Sequence, residues 1–301
     1  MKVTLYLMTF KGYKVLKSIV ENGYTRLISQ VIVGRDKNID NDYSDKIIEL
    51  CKQNSIKYSE RLSVFEVNSF FSIAVSWRWL INVESSRLII LHDSLLPAYR
   101  GFAPLVNALI NKEEKIGVTA IFASEEYDTG DIIAQETLDI VYPVRISQVI
   151  DLITEKYIKL VNKILGMIDA GSEIPATPQD LTLVSFSLWR DDNDYLIDWN
   201  KPSSEIFNFI NAVSSPYKGA STFVNGIEKI RIFDSEIIED VKIVNRDPGK
   251  IIFIQNQYPV IVCGTGLLKI KEAIYDKTRV SILPFKKFRV RLTGPVPCNK
   301  S

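Results

Sequence analysis

The sequence predicts an α/β fold, in which a Rossmann-like, mostly parallel sheet with helices on both faces is followed by a small all-β domain. Before Gly171, short apolar runs alternate with amphipathic helical patterns, which is the order that a parallel sheet requires. After Ala220, the chain carries only short β-like runs divided by turn residues such as Asn225-Gly226. This change of pattern predicts two domains, at residues 1–184 and 185–301.

The elements of the first domain follow from their apolar periodicity. The first apolar run, at residues 3–8, is a predicted strand, and the helical pattern from Val15 to Val20 ends at Gly23, a residue type that favours the position after a helix. The other predicted strands are at residues 27–33, 71–76, 88–91, 118–122 and 132–136. The other predicted helices are at residues 45–53, 104–110 and 146–170.

The second domain opens with a linker helix and continues as a barrel or sandwich. Apolar residues fall on one face of that helix, at Ile206, Phe209, Ile210 and Val213. The predicted strands that follow are at residues 221–224, 229–232, 250–254, 260–263 and 267–272. Segment 171–192, between the domains, contains Pro175, Pro178 and several Ser and Asp residues, and we interpret it as a linker over the surface.

Composition excludes several classes of function. The 37 basic and 36 acidic residues leave a net charge of +1, which gives no general attraction to nucleic acid or to an anionic membrane. No apolar stretch is long enough to span a membrane. The cysteines Cys51, Cys263 and Cys298 are odd in number and far apart, so we expect reduced thiols and a cytoplasmic protein. The chain has one histidine, so we expect no metal site.

The chemically informative residues lie in two segments, His92-Asp-Ser-Leu-Leu-Pro-Ala-Tyr-Arg-Gly101 and Tyr127-Asp-Thr-Gly-Asp131. His92 directly follows a predicted buried strand, where loops carry catalytic groups in sheets of this kind. A histidine can transfer protons at neutral pH, and Asp128 is suited to orient its ring. These residues alone leave a histidine with a purely structural role as the alternative.

The stretches LHDSLLPAYRGFAPL and GVTAIFASEEYDTGDIIAQ resemble the formyltransferase family that uses 10-formyltetrahydrofolate. The resemblance implies that His92 is the catalytic histidine and Asp128 the catalytic carboxylate of a direct acyl transfer. One position departs from the family pattern, because Ile90 stands where the family has a catalytic Asn. Asp198-Trp199 and residues 216–220 resemble the C-terminal domain of methionyl-tRNA and sugar formyltransferases, whose barrel is OB-like.

The resemblance also implies two groups of binding residues. The formyl donor, 10-formyltetrahydrofolate, is expected to contact Trp77, Arg78, Leu91, Tyr127 and Asp131. The acceptor is expected to contact Ser94, Pro97, Tyr99, Arg100 and Gly101. Core packing of a tryptophan, a solvated Arg100 and a loop-shaping Ser94 remain open as alternatives.

The charge pattern bears on the acceptor. The loop at residues 34–43 carries two basic and three acidic residues, and segment 188–198 carries four Asp residues against Arg190, which disfavours RNA. The sequence is similar to the UDP-4-amino-4-deoxy-arabinose formyltransferase type, so we expect a nucleotide-linked amino sugar of lipopolysaccharide or O-antigen synthesis as acceptor. The alternatives are a methionyl-tRNA formyltransferase and a ligand-binding protein whose catalysis is weakened by Ile90. The sugar, the nucleotide, the transfer of another acyl group and a homodimeric state stay open.

Overall fold

The computed structural model describes residues 1–36, 39 and 41–295. The chain forms two compact units. The first contains residues 1–108, 113–140 and 148–189, and the second contains residues 109–112, 141–147 and the chain from residue 190 onward. The last passage of the chain from the first unit to the second is at Trp189 and Arg190, close to the predicted boundary after residue 184.

Strands and helices alternate through residues 1–189, as the apolar periodicity predicts. The strands are β1 (Val3–Leu7), β2 (Ile28–Val33), β3 (Tyr58–Glu60), β4 (Phe71–Val75), β5 (Leu88–His92), β6 (Arg100–Gly101), β7 (Lys115–Phe122), β8 (Ile132–Asp139) and β9 (Phe186–Ser187). The helices are α1 (Thr9–Glu21), α2 (Ser44–Gln53), α3 (Pro104–Ile110) and α4 (Ile146–Asp169). Helix α1 is followed by Asn22 and then by Gly23 at φ 73°, the left-handed conformation predicted for that glycine.

The main sheet has the strand order β3-β2-β1-β4-β5-β7-β8. Strands β3, β2, β1, β4 and β5 pair in parallel, whereas β7 is antiparallel to both β5 and β8. The predicted mostly parallel sheet is therefore confirmed. Strands β6 and β9 form a separate parallel pair that the sequence did not predict, since two residues show no periodicity.

One face of the main sheet is covered by irregular chain. Tyr6, Ile32, Ala74 and Leu88 form a buried cluster there. The side chains packed against this cluster come mainly from residues 65–83, a segment without α-helix: Phe65, Val67, Trp77, Ile81 and Val83. Apolar and polar residues mix on either side of β4, at residues 65–70 and 76–83, without helical spacing, which explains why these parts cover the face as loops.

The second unit is built from one helix and an antiparallel sheet, as predicted. The elements are α5 (Ser203–Val213), β10 (Ala220–Val224), β11 (Glu228–Ile238), β12 (Ile251–Gln255), β13 (Tyr258–Val262), β14 (Leu267–Tyr275) and β15 (Leu292–Thr293). The strand order is β12-β13-β14-β11-β10-β15, with antiparallel neighbours. Asn225 and Gly226 both have positive φ and join β10 to β11, which is the turn that Asn-Gly favours.

Membrane-spanning helices and metal-binding groups are absent from the described residues, and the cysteine thiols there are buried. Among the described residues, no helix is long and apolar enough to cross a membrane, and no group of three or more His, Cys, Asp or Glu is placed to hold a metal ion. Burial raises the pKa of the Cys51 and Cys263 thiols to about 12. Cys298 lies outside the described residues, as do Lys37, Asn38 and Asp40 of the charge-balanced loop.

Candidate active site

His92 is the last residue of β5, and its side chain is 8% exposed. It lies beside Thr119 of β7, at the point where the sheet changes from parallel to antiparallel pairing. The next residue, Asp93, accepts hydrogen bonds from Lys11 Nζ and from the Tyr157 hydroxyl at 2.7 and 2.8 Å. These bonds fix the chain immediately after the histidine, so the end of the strand is rigid.

Both ring nitrogens of His92 face oxygen atoms. Nε2 lies 2.9 Å from the carbonyl oxygen of Tyr99, and because a carbonyl only accepts, Nε2 carries a hydrogen and donates it. Nδ1 lies 3.4 Å from Asp128 Oδ1, which is longer than an ordinary hydrogen bond. The ring is therefore anchored through Nε2, and Nδ1 is the nitrogen left to act on another molecule.

Asp128 connects the two loops of the site. Its backbone is left-handed, with φ 58°, and its side chain is 13% exposed. Oδ1 faces His92, while Oδ2 accepts a 2.8 Å hydrogen bond from the backbone N–H of Gly101. The carboxylate is thus oriented by one loop and directed at the histidine.

Two glycines of the motif permit close approaches of backbone to backbone. Gly101 has φ +104°, and a β-carbon there would lie 2.5 Å from the carbonyl oxygen of Ser187. A β-carbon at Gly130 would overlap the carbonyl oxygen of Phe122. Both positions therefore require glycine for space, and Gly101 also for its conformation.

The predicted acceptor-binding residues lie in the loop after His92, and several are buried. The Ser94 hydroxyl donates a 2.6 Å hydrogen bond to the Ala98 carbonyl, which is the loop-shaping role left open by the sequence. Pro97 is buried, and Arg100 is 6% exposed. Tyr99 and Gly101 are half-buried. Contact between this group and an acceptor stays a prediction.

The predicted donor-binding residues are spread over different environments. Trp77 is half-buried against the sheet-face cluster, and Arg78 pairs with the buried carboxylate of Asp36. Leu91 is buried on the opposite face of β5 from His92, which leaves only its main chain accessible to a ligand. Tyr127 is 69% exposed, with its ring centroid 6.2 Å from that of Phe102, and Asp131 is exposed. Their contact with the donor stays a prediction.

Ile90 lies on the same face of β5 as His92, because alternate residues of a strand share a face. Its half-buried side chain packs against the cluster of Tyr6, Ile32, Ala74 and Leu88, as Trp77 does. The position of the family's Asn is therefore occupied here by an apolar side chain within an apolar cluster.

A cavity of about 650 Å³ opens beside Trp77. Its lining includes aromatic side chains, two arginines and the carboxylate of Glu84, which pairs with Arg87: Tyr6, Phe65, Phe70, Trp77, Trp79, Arg61 and Arg87. Within the described residues, Trp77 Nε1 is buried without a hydrogen-bond partner. The Arg61 guanidinium lies 4.1 Å above the Trp79 ring, and it forms no ion pair in the described parts of the chain. Flat apolar walls with unused donors and a cation suit a planar ligand that carries acceptors and a negative charge.

The sequence did not identify Gln179 as a site residue. The residue lies in segment 171–192, which was expected to run over the surface, but it is 9% exposed and bonds to both site loops. Ser185 and Ser187 of the same segment pair with residues 99–102 through main-chain bonds. No local signal distinguishes a buried glutamine in a loop from a solvated one, so only the tertiary structure could locate it.

Comparison with known proteins gives matches in both parts of the chain. The family model described as formyl transferase matches residues 70–161, and the one described as formyl transferase, C-terminal domain, matches residues 190–287. Together they cover more than half of the chain. A methionyl-tRNA formyltransferase of Ruminiclostridium cellulolyticum is 29% identical over 200 residues, which are 66% of this chain and 63% of the relative.

Two solved structures share the fold. WlaRD, a sugar 3N-formyl transferase crystallised with dTDP and 5-N-formyl-THF, superposes with a TM-score of 0.65 at 22% identity, over 90% of this chain and 97% of that one. A variant of HypX from Aquifex aeolicus superposes with a TM-score of 0.63 at 21% identity, over 91% of this chain and 45% of that one. The chain thus spans less than two thirds of the curated relative and less than half of HypX.

Proposed function

We propose a function from the premise that this chain belongs to the formyl transferase family. The protein transfers a formyl group from 10-formyltetrahydrofolate to the amine of a nucleotide-linked amino sugar. The observation that carries the reaction is the His92–Asp128 pair, which is held at 3.4 Å between two loops at the end of β5.

The donor supplies a formyl carbon, and attack by an amine places negative charge on the formyl oxygen. His92 is anchored through Nε2, so Nδ1 is the nitrogen that meets this oxygen, and the N–H that Nδ1 carries in the imidazolium form donates to the oxygen and stabilises the charge. Asp128 orients the ring of His92 and accepts the proton that the amine gives up, directly or through a water. Return of that proton to the departing nitrogen completes the transfer, with no covalent bond to the protein.

Of the predicted donor contacts, only Trp77 lines the cavity, and the other residues of the cavity also fit the formyl donor. A pteridine is planar and carries hydrogen-bond acceptors, which suits the aromatic walls and the unpartnered Trp77 Nε1. The glutamate end of the donor is anionic, which suits Arg61 on the Trp79 ring. Related proteins of this fold were crystallised with 5-N-formyl-THF and with tetrahydrofolic acid.

Two observations support an amino sugar as the acceptor. WlaRD is a sugar N-formyltransferase crystallised with dTDP, and its likeness covers nearly the whole of both chains. Basic side chains that an acceptor stem would need are already paired: Arg35 with Glu60 and Asp45, and Lys229 with Asp192. Synthesis of a lipopolysaccharide or O-antigen sugar in the cytoplasm is the setting that we propose for this reaction.

A methionyl-tRNA formyltransferase is the second candidate, and the 29% identity to such an enzyme favours it. A single assay separates the candidates. Purified protein is incubated with 10-formyltetrahydrofolate and, in parallel, with dTDP- and UDP-linked amino sugars and with charged initiator tRNA. Released tetrahydrofolate is measured, and the formamide is detected by mass.

We expect formamide only with an amino sugar, and none with the matched sugar nucleotide that carries a hydroxyl in place of the amine. Formylation of the tRNA alone would establish the second candidate. Binding of donor and amino sugar without turnover would instead identify a protein that only captures ligands, the outcome expected if Ile90 abolishes catalysis.

A further inference from the structure

We propose that Gln179 is a positioning residue that holds His92 and Asp128 in reacting geometry. Its side-chain amide makes four hydrogen bonds. Nε2 donates to the carbonyl oxygens of Asp128 and Gly130, both at 2.8 Å. Oε1 accepts from Arg100 Nε at 3.1 Å and Arg100 Nη2 at 2.7 Å. The amide group thereby uses both of its donors and both of its lone pairs.

These bonds join the two loops that meet at His92. The loop at residues 99–101 supplies the Tyr99 carbonyl that anchors Nε2 and the Gly101 N–H that orients the carboxylate. The loop at residues 127–131 carries Asp128 itself. Gln179 bonds to both loops without bonding to the imidazole or the carboxylate, so it acts on the catalytic pair through their backbone.

The surroundings of the Gln179 side chain require an amide group. The Asp128 and Gly130 carbonyls need donors, whereas the Arg100 guanidinium needs an acceptor, and one planar amide offers both. Within the described residues, the Arg100 guanidinium has no carboxylate partner, so Gln179 also satisfies a cation that is 6% exposed. A glutamate would keep the bonds to Arg100 and lose both donors, while a methionine would keep the volume and lose all four bonds.

These two substitutions distinguish the bonds that Gln179 accepts from Arg100 from the bonds that it donates to the Asp128 and Gly130 carbonyls. We expect Gln179→Glu and Gln179→Met each to lower kcat by about 10²-fold, since displacement of a catalytic group by about 1 Å has that effect. KM for acceptor and donor should rise as well, because Gln179 also holds Arg100 and the loop of Tyr127 and Asp131, which are predicted to contact them; the loss in kcat is the effect that reports on the catalytic pair. If only Arg100 needed the amide, Gln179→Glu would keep the wild-type kcat.

A second readout needs no substrate. His92 is the only histidine of the chain, so its imidazole NMR signals require no assignment and report on the contact with Asp128 directly. Across pH, the imidazole titration in both Gln179 variants should move from the wild-type curve toward that of Asp128→Asn. Gln30→Glu is the matched control, since Gln30 is also buried and bonds through Nε2 to a carbonyl, that of Glu66. It should lower the melting temperature and leave the kcat and the imidazole titration unchanged.

The role in turnover rests on the proposed function, and the NMR experiment tests the positioning separately. Absence of formyl transfer in the wild-type protein would contradict the proposed function. A shifted imidazole titration in the Gln179 variants would still support the positioning role of Gln179. Wild-type kcat and a wild-type imidazole titration in both Gln179 variants would overturn the inference. If Gln179→Met does not fold, Gln179→Glu, which keeps the partner of Arg100, decides the question.

Discussion

Replacement of Asp128 by Asn is the most direct perturbation of the proposed reaction. The substitution removes one charge and keeps the shape of the side chain. An Asn oxygen can still accept the hydrogen bond from Gly101 N–H, so the loop should keep its conformation and the melting temperature should change little. What is lost is the carboxylate that faces His92 Nδ1 at 3.4 Å.

The size of the effect follows from that distance. Two unit charges at 3.4 Å interact by about 5 kcal/mol at an effective dielectric constant of about 20. Residual solvent exposure of both side chains reduces this figure. Since about 1.4 kcal/mol corresponds to a tenfold change in rate, we expect kcat to fall by about 10²–10³. The contribution of a positioned acid or base, about 10²–10⁴, agrees with this range.

The assay measures kcat and KM by release of tetrahydrofolate for Asp128→Asn, for His92→Asn and for the double variant. If the two residues act as one unit, the double variant should be about as slow as the slower single variant. Asp139→Asn is the control, because it removes a well-exposed carboxylate from the same unit and should leave kcat unchanged. Turnover near the wild-type rate in Asp128→Asn would refute the reasoning, and so would fully multiplicative losses in the double variant.

Three further predictions concern other parts of the molecule. Ile90→Asn should raise formyl transfer by up to about 10²–10³, because one donor to a developing oxyanion has that effect; an unchanged kcat with a lower melting temperature would mean that another group donates. Charged initiator tRNA should be formylated only at background level, and efficient transfer that weakens with salt would contradict this. Partial burial raises the pKa of Asp192, but hydrogen bonds from Lys229 and Arg231 outweigh it and lower that pKa to about 2. The stabilisation that Asp192 provides is therefore complete above about pH 4 and is lost as the pH falls toward 2. The melting temperatures of the wild type and of Asp192→Asn should differ near neutral pH and converge in acid. A difference in melting temperature that does not change with pH would contradict the lowered pKa of Asp192.

The elements that the sequence predicts are those with a periodic apolar pattern or with a continuous apolar run. Strand β5 is a continuous apolar run, and the last residue of that strand is His92, so the place of the histidine follows from the pattern. The β6–β9 pair has two residues in each strand and therefore no period. The antiparallel direction of β7 cannot be recognised in the sequence either, because a buried strand has the same apolar pattern in either direction.

The residues of the candidate site also fall into those that the sequence predicts and those that it does not. Motif resemblance places His92 and Asp128 in one centre, and the structure brings their side chains to 3.4 Å. Gln179 was not predicted, because its partners are two backbone carbonyls and Arg100. Backbone carbonyls are present in every loop, so they leave no signal in the sequence. The cavity beside Trp77 depends on how residues 61–87 lie on the sheet, which local composition does not determine.

The close approaches at Gly101 and Gly130 limit how this protein can be diversified. A mutational library that randomises the whole of both loops would consist mostly of misfolded members, since any side chain at Gly130 meets the main chain of Phe122. The fold tolerates variation at Phe102, next to Gly101, and at Tyr127, because these residues are 51% and 69% exposed. Selection for a new acceptor should therefore hold the two glycines fixed and vary Phe102, whereas Tyr127 is predicted to contact the donor.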